Sequence, residues 1–245
     1  FIRSFNAQKA IVIGAGATAI EAAVALKKRG YSVSLLARSR LLRKLFDDEV
    51  AFRIQEKLIQ NGIEVFTGEK VLQICGKEQV ETVLTNKRSL DCDIVLIATG
   101  MYPNTALVRD TGIEMGQTGA IKVDDRMQTS VEGIYAAGDC AETEDIFTGE
   151  RVVSMFWHNA KQQGRVAGLN AVGVKKRYQG SFSIAVLNVF GTHAISIGHT
   201  EAYAKQKWTD CEVIEKKLNK TYYRIITAEG LCKGIQYLSL IHISE

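Results

Sequence analysis

"AIVIGAGATA", residues 10–19, is the stretch that decides the fold. An apolar run enters a pair of glycines here, and an alanine-rich segment with apolar residues at helical spacing follows as far as Gly30. This pattern predicts a buried strand over residues 9–13, a tight turn, and a helix over residues 17–29. Strand, glycine turn and helix in that order begin a parallel α/β unit.

The turn has the form G-x-G-x-x-A. Its first glycine permits a sharp turn, its second lets a pyrophosphate approach the backbone, and its small third residue lets helix and strand close up. The free N–H groups and the dipole of the helix start favour an anion. The residues that we expect to bind a dinucleotide are Gly14, Gly16, Ala17 and Ala19. A glycine-rich turn that binds nothing is the alternative.

A basic segment, "ARSRLLRK", follows the next predicted strand. Sites for NAD(H) place an Asp or Glu about 20 residues past the glycine turn, where it accepts hydrogen bonds from the ribose 2′-hydroxyl, but this chain has Ala37 there. Guanidinium groups at Arg38 and Arg40 can instead pair with a 2′-phosphate. Arg43 or Lys44 lies close by in the sequence. The pattern favours NADP(H) over NAD(H), and a solvated basic loop is the alternative.

The first hundred residues continue the α/β pattern. Their further predicted segments are a strand over residues 31–36, a helix over residues 47–60 capped by Asp47, a strand over residues 63–66, an antiparallel meander over residues 70–90, and the strand "DIVLIATG" at residues 93–100. Together they predict a βαβ-type unit with an inserted β-flap.

The later part of the chain contains more loops and short strands. "GIYAAGDC", residues 133–140, is predicted as a buried strand that ends in Gly-Asp, and residues 153–172 as a helix. Residues 181–237 alternate apolar and polar side chains, which is typical of an antiparallel sheet, with a helical turn at residues 201–206.

Composition excludes several classes of protein. With 46% hydrophobic and 24% charged residues the chain is globular, and its net charge of +4 is spread without a nucleic-acid-binding stripe. Five widely spaced cysteines without metal-ligand spacing indicate reduced thiols in the cytoplasm and no metal site. No apolar run is long enough to cross a membrane. The chain begins at Phe1 rather than Met and ends in "LSLIHISE", residues 238–245, so we expect a truncated fragment with a non-native tail.

Taken in order, the glycine turn, the basic second strand, "ATG", "GIYAAGDC" and "FWHNAKQQGRVAGLNAVG" resemble the FAD-dependent pyridine nucleotide-disulfide oxidoreductase family. The resemblance is strongest to its branch of NADH oxidases, rubredoxin reductases, nitrite reductase flavin domains and coenzyme A-disulfide reductases, and it extends to about Tyr237. It implies an α/β fold: a Rossmann-like NAD(P)-binding domain with a β-meander insertion, the second half of a Rossmann-like FAD-binding domain, and a partial α+β interface domain.

The resemblance also implies boundaries and site residues. The NAD(P)-binding domain spans residues 1–103, the FAD-binding part residues 104–178 and the interface domain residues 179–237. The further cofactor-binding residues that it implies are Glu21 beneath the nicotinamide, Thr99 and Gly100 of "ATG", Gly138 and Asp139, whose carboxylate binds the FAD ribityl chain, and Trp157 and Ala160 near the flavin ring. The family's upstream FAD glycine motif and redox-active cysteines are not in this sequence, so no catalytic residue is assigned.

The function implied is hydride transfer from NAD(P)H to FAD, with electrons passed to a small molecule or a small redox protein. Oxygen, rubredoxin, a disulfide and a persulfide all remain open as acceptors. A homodimer through the carboxy-terminal domain is expected, without nucleic-acid or membrane partners. Two alternatives are a nucleotide-sensing flavoprotein with little turnover and a flavin-free NADP-dependent dehydrogenase.

Overall fold

A computed structural model describes residues 7–218 and 220–239 of the chain. These described residues divide into two compact units, one within residues 1–100 and 185–245 and the other within residues 101–184. None of the helices in the described ranges is long and apolar enough to cross a membrane.

The amino-terminal part of the first unit is a four-stranded parallel sheet with helices and an inserted flap. Its elements are β1 (Lys9–Ile13), α1 (Ala17–Lys28), β2 (Ser32–Ala37), α2 (Asp48–Gln60), β3 (Ile63–Thr67), β4 (Val71–Gly76), β5 (Val80–Thr85), β6 (Ser89–Asp91) and β7 (Ile94–Ile97). The parallel sheet has the order β3-β2-β1-β7. Most of β1 and β2 is buried, as expected for parallel strands whose sequences are continuous apolar runs.

The inserted flap is the antiparallel sheet β4-β5-β6, which the chain forms between β3 and β7. It confirms the predicted meander, and the turns lie at the two predicted places. Gly76 begins the first turn with a positive φ, and the Asn86 N–H donates to the Lys70 carbonyl in the second. The Rossmann-like unit with a β-insertion is thereby confirmed.

The second unit is smaller and has its own core. Its elements are a 3-10 helix (Ala106–Val108), β8 (Ile121–Lys122), β9 (Ala141–Glu144), β10 (Arg151–Val153) and α3 (Trp157–Ala171), and its sheet has the order β10-β9-β8. The buried residues at its centre are Ile121, Val123, Met127, Ala136, Ala141 and Val166.

Two sequence predictions in this unit are wrong in part. Residues 133–140 form no strand, because their pairing is limited to a single antiparallel bridge between Gln128 and Tyr135 within the described residues. A strand requires a repeated ladder of hydrogen bonds with a neighbour. The helix begins at Trp157 rather than at residue 153, because Arg151–Val153 pairs with β9 instead.

The carboxy-terminal part of the first unit is a five-stranded antiparallel sheet. Its elements are β11 (Ile184–Val189), β12 (Thr192–Gly198), α4 (Glu201–Lys207), β13 (Glu212–Leu218), β14 (Thr221–Ala228) and β15 (Leu231–Ser239), in the sheet order β11-β12-β15-β14-β13. Burial alternates along β14, as predicted for an antiparallel sheet with one covered face. Leu238, assigned from sequence to a non-native tail, pairs with Ala194 and Tyr222, whereas residues 240–245 of that tail lie outside the described residues.

The covered face of this sheet packs on the parallel α/β layer. Tyr222, Leu187 and Leu238 belong to the same buried hydrophobic cluster as Ile20 of α1 and Leu58 of α2. Arg53 of α2 lies over the Tyr222 ring, 5.9 Å from its centroid. One continuous core therefore joins the parallel sheet and the carboxy-terminal sheet of the first unit.

Candidate functional site

The first glycine of the turn is required by close packing. Gly14 has a φ of +153°, and a Cβ added there would lie 2.2 Å from the Ala98 carbonyl oxygen. Its N–H donates to the Leu36 carbonyl at 2.9 Å. Ala19, fully buried, lies close enough to Gly14 to explain why the third motif position is small. The turn is thus fixed where three strands of the parallel sheet end.

The second glycine faces open space. A Cβ added at Gly16 would meet nothing within 4 Å, and Gly16 stands at the N-cap of α1 without a side-chain cap. The first turn of α1 carries no acidic residue, and Ile20 is the first residue of the helix whose N–H donates to Gly16. The earlier N–H groups can therefore receive an anion at the positive end of the helix dipole. This cradle fits a dinucleotide pyrophosphate.

Residues 38–46, which we call the arginine loop, lie against this turn. The Leu42 N–H donates to the Ala15 carbonyl at 2.7 Å. Leu41, Leu42 and Phe46 are each at most 1% exposed, so the loop is held by its own apolar side chains. The sequence pattern of basic and apolar residues is therefore a folded loop with its backbone next to the glycine turn.

The basic side chains of this loop differ in what they contact. Arg38 is exposed, directly follows the last residue of β2, and has no hydrogen-bond or ion-pair partner within the described part of the chain. Lys44 is also exposed. Arg40 is already engaged: its Nε lies 2.6 Å from Asp48 Oδ1, and its Nη1 donates to the Leu41 and Phe46 carbonyls at 3.1 Å. Arg38 is free to meet a ligand, whereas Arg40 holds the loop together.

The other residues predicted for the nucleotide lie on the same elements. Ala17 begins α1, and Glu21 is exposed one turn later. Thr99 and Gly100 are exposed and follow Ala98, the first residue after β7, and Gly100 has a φ of +136°.

The predicted flavin residues come together in the second unit. Gly138 has a φ of +84°, its N–H donates to Gln163 Oε1 at 2.7 Å, and a Cβ there would lie 3.7 Å from Ala160 Cβ. The Ala141 N–H donates to the Gly138 carbonyl, which closes a turn with Asp139 exposed at its tip. Gln163, fully buried, was not predicted from sequence. It fixes the Gly-Asp turn against α3 and leaves the Asp139 carboxylate free.

The start of α3 presents an aromatic side chain. Trp157, its first residue, is 76% exposed, and Lys161 lies over its ring at 5.0 Å. His158 is occupied within the protein, since its Nε2 lies 3.1 Å from the Phe182 carbonyl. No side chain caps α3, and its first turn has no acidic residue. The exposed Asp139 carboxylate and the uncapped helix suit a group with sugar hydroxyls and partial negative charge.

The prediction that Asp47 caps α2 is confirmed for its position and wrong for its side chain. Asp47 stands at the N-cap, but its side chain makes no capping hydrogen bond. Its Oδ2 accepts from Arg224 Nε at 3.0 Å and from Gln236 Nε2 at 2.8 Å, and its Oδ1 accepts from the Glu201 N–H at 3.0 Å. The carboxylate is drawn away because its partners lie on the carboxy-terminal sheet and α4. These partners are far away in sequence, so the sequence carried no signal for them.

Arg224 is the centre of this ionic cluster. Its side chain is 10% exposed and also contacts the carboxylates of Glu201 and Glu215. Burial raises the pKa of Asp47 above its usual value, against the opposing charge of Arg224. A hydrogen bond from Lys205, followed by the charge of Arg224, lowers the pKa of Glu201. Burial therefore dominates the pKa of Asp47, whereas hydrogen bonding dominates the pKa of Glu201.

The chain is similar to known proteins in sequence and in fold. Residues 2–164 match the family model described as pyridine nucleotide-disulphide oxidoreductase. The chain is 37% identical over 237 residues to an NAD(P)H sulfur oxidoreductase (CoA-dependent) of Pyrococcus furiosus, covering 96% of this chain and 53% of that protein. The chain therefore spans about half the length of this curated relative.

Two solved structures share the fold. An FAD-dependent pyridine nucleotide-disulphide oxidoreductase from Desulfovibrio vulgaris superposes with a TM-score of 0.90 at 29% identity, covering 97% of this chain and 61% of that one. An engineered water-forming NADPH oxidase bound to NADPH, made from the NADH oxidase of Lactobacillus brevis, superposes with a TM-score of 0.89 at 29% identity, covering 98% of this chain and 56% of that one.

The engineered oxidase carries five substitutions. The first replaces a glycine with alanine. Eighteen positions later three adjacent residues are changed: aspartate to alanine, alanine to arginine, and methionine to serine. Five positions after the last of these, a proline is replaced with arginine. The family match covers more than half of this chain. The chain belongs to the pyridine nucleotide-disulphide oxidoreductase family.

Proposed function

We propose that the chain is the coenzyme-binding part of an FAD-dependent oxidoreductase that uses NADPH in preference to NADH. The observation that carries this proposal is the exposed, unpartnered Arg38 directly after Ala37, on a loop whose backbone is bonded to the glycine turn. A carboxylate in the place of Ala37 would repel a 2′-phosphate, whereas a guanidinium forms charge-assisted hydrogen bonds with it.

The engineered NADPH oxidase supports this proposal position by position. The motif Ala37-Arg38-Ser39 has the three side chains introduced there side by side. Ala19, eighteen positions before Ala37, matches the alanine introduced first, and Lys44, five positions after Ser39, is basic like the arginine introduced last. By residue type and spacing, this chain therefore has four of the five introduced side chains, with a lysine in place of the last arginine.

The second unit supports the use of FAD. Asp139, exposed at the tip of a turn that Gln163 fixes, would accept hydrogen bonds from the ribityl hydroxyls. Trp157 and Ala160, at the start of α3, would pack near the flavin ring. When bound, FAD supplies the hydride acceptor. The protein supplies binding groups and a helix start without a competing acidic side chain.

The electron acceptor that we propose is oxygen, a sulfur compound such as a disulfide or persulfide, or rubredoxin. The relative from Pyrococcus furiosus is named for sulfur, and the engineered oxidase for forming water. We also propose a cytoplasmic homodimer. In support, the five cysteines are free, and the face of the carboxy-terminal sheet away from the core exposes Val186, Ile214 and Ile235.

Coenzyme titration tests the proposal. NADPH and NADH are titrated separately into the wild-type chain, into Arg38→Ala and into Arg29→Ala, which removes an exposed arginine at the far end of α1. We expect NADPH to bind at least ten times more tightly than NADH, about 1.4 kcal/mol, and Arg38→Ala alone to abolish the difference. Equal affinities in the wild type would exclude NADPH specificity.

A further inference from the structure

We propose that Asp47 and Arg224 are positioning residues for the coenzyme: through them the carboxy-terminal sheet holds the arginine loop beside the glycine turn. The inference rests on the proposed NADPH site and adds to it two residues that do not touch the coenzyme. They are 177 positions apart in the sequence and in direct contact in the fold.

Asp47 is held by the carboxy-terminal region at every polar atom of its side chain and at its backbone N–H. Gln236, fully buried on β15, forms two hydrogen bonds with Asp47: Nε2 donates to Oδ2 at 2.8 Å, and Oε1 accepts from the Asp47 N–H at 3.0 Å. Arg224 on β14 and the Glu201 N–H at the start of α4 complete the set. Four hydrogen bonds from three elements of the carboxy-terminal part thus fix one residue.

That residue is the end of the arginine loop. Phe46, the last residue of the loop, is fully buried, and its carbonyl accepts from Arg40. Its own N–H donates to the Leu42 carbonyl at 2.9 Å, and the Leu42 N–H donates to the Ala15 carbonyl. A short chain of contacts therefore runs from Arg224 through Asp47 and the loop backbone to the residue between the two glycines of the turn.

The cluster is poorly suited to increase stability alone. A buried ion pair repays its desolvation cost only with good geometry, and a similar apolar group would serve as well. Asp47 also gives up the capping hydrogen bond of α2, which normally stabilises a helix start. What the arrangement provides is a fixed position for the loop end, and Arg38 lies at the other end of the same loop.

The charges in the cluster indicate which variant to use. Asp47→Asn keeps the side-chain shape and an oxygen for the Glu201 N–H, and it leaves Arg224 paired with Glu201 and Glu215. No buried charge is stranded, so this variant is expected to fold. Glu215→Gln is the matched control, because it removes a carboxylate contact of the same arginine on the side away from the loop.

Hydrogen exchange and coenzyme binding are measured on the full chain. In Asp47→Asn we expect the amides of Leu42, Leu45 and Phe46 to exchange at least ten times faster, and NADPH to bind at least five times more weakly with NADH changed less than twofold. Glu215→Gln is expected to match the wild type in both measurements. A structural role alone would lower the thermal midpoint without changing the NADPH-to-NADH affinity ratio.

The outcomes separate this inference from the proposed function. If the wild-type chain does not prefer NADPH, the proposed specificity is wrong. The positioning role then requires that Asp47→Asn changes both the amide exchange of the arginine loop and the affinity for NADH. If wild type prefers NADPH and Asp47→Asn leaves either loop exchange or the affinity ratio unchanged, the positioning role is overturned while the proposed function stands.

Discussion

The starts of α1 and α2 lie at successive turns of the same parallel sheet and are built in opposite ways. α1 begins at Gly16, which offers no side chain and faces open space. α2 begins at Asp47, a residue type suited to capping, and that carboxylate is bound to the carboxy-terminal sheet. Neither helix has a side-chain cap. At α1 the N-cap residue is a glycine without a side chain, whereas at α2 the Asp47 side chain binds residues of the carboxy-terminal part instead.

A helix N-terminus without a capping side chain can therefore have two different causes. At α1 the unused N–H groups point to a ligand from outside, since no atom in the described part of the chain beyond the sequence neighbours of Gly16 and the backbone of α1 lies within 4 Å of a Cβ added at Gly16. At α2 the diverted carboxylate points to an internal contact that joins two sheets. Substitutions at the two helix starts are therefore expected to have different effects on stability and on coenzyme binding.

Replacing Arg224 tests the internal contact most strongly. Arg224→Met leaves the Asp47, Glu201 and Glu215 carboxylates without their shared cation, and Asp47 is buried. We expect the free energy of unfolding to fall by about 3–5 kcal/mol in urea denaturation. Arg177→Met, which removes an exposed ion pair with Asp125 in the second unit, is the control and should cost less than about 1 kcal/mol. Equal losses in the two variants would show that the cluster is not a special contact.

The two glycines of the turn test the external site. Gly14→Ala places a Cβ against the Ala98 carbonyl and should cost about 1–3 kcal/mol of unfolding free energy. Gly16→Ala meets no atom within 4 Å and should change stability by less than about 1 kcal/mol. It should nevertheless weaken NADPH binding at least tenfold, because the methyl group occupies the approach of the pyrophosphate. Tight NADPH binding by Gly16→Ala would place the coenzyme elsewhere.

Local pattern was sufficient for much of the fold. β1 lies where the sequence predicts it, and α1 ends one residue earlier than predicted, because strand and helix periods are strong there and glycines mark both ends. Residues 133–140 were predicted wrongly because an apolar run shows that a segment is suited to a strand and cannot show which neighbour pairs with it. Pairing is decided by tertiary contacts.

The candidate site divides in the same way. Gly14, Gly16 and Arg38 could be chosen from sequence because motif spacing places them on one turn and the following strand end. The use of Asp47 could not be predicted, since Arg224 and Gln236 are 177 and 189 positions away. The contacts of Arg40 with Asp48 and with two loop carbonyls could not be predicted either. These contacts make Arg40 a structural residue of the loop, whereas Arg38 has no such partner in the described part of the chain.

The pH dependence of stability tests the environment of the Asp47 carboxyl group at the start of α2. Because burial raises the folded-state pKa of Asp47, its contribution to stability is fully present below its unfolded pKa and is lost as pH rises through the folded value. Asp47→Asn removes this titration. We therefore expect the unfolding free energy of wild type minus that of Asp47→Asn to be larger at pH 4 than at pH 7, measured by urea denaturation at both. A difference that instead grows with pH would mean that Arg224 outweighs burial, and that the Asp47 carboxylate stabilises the fold in its ionised form.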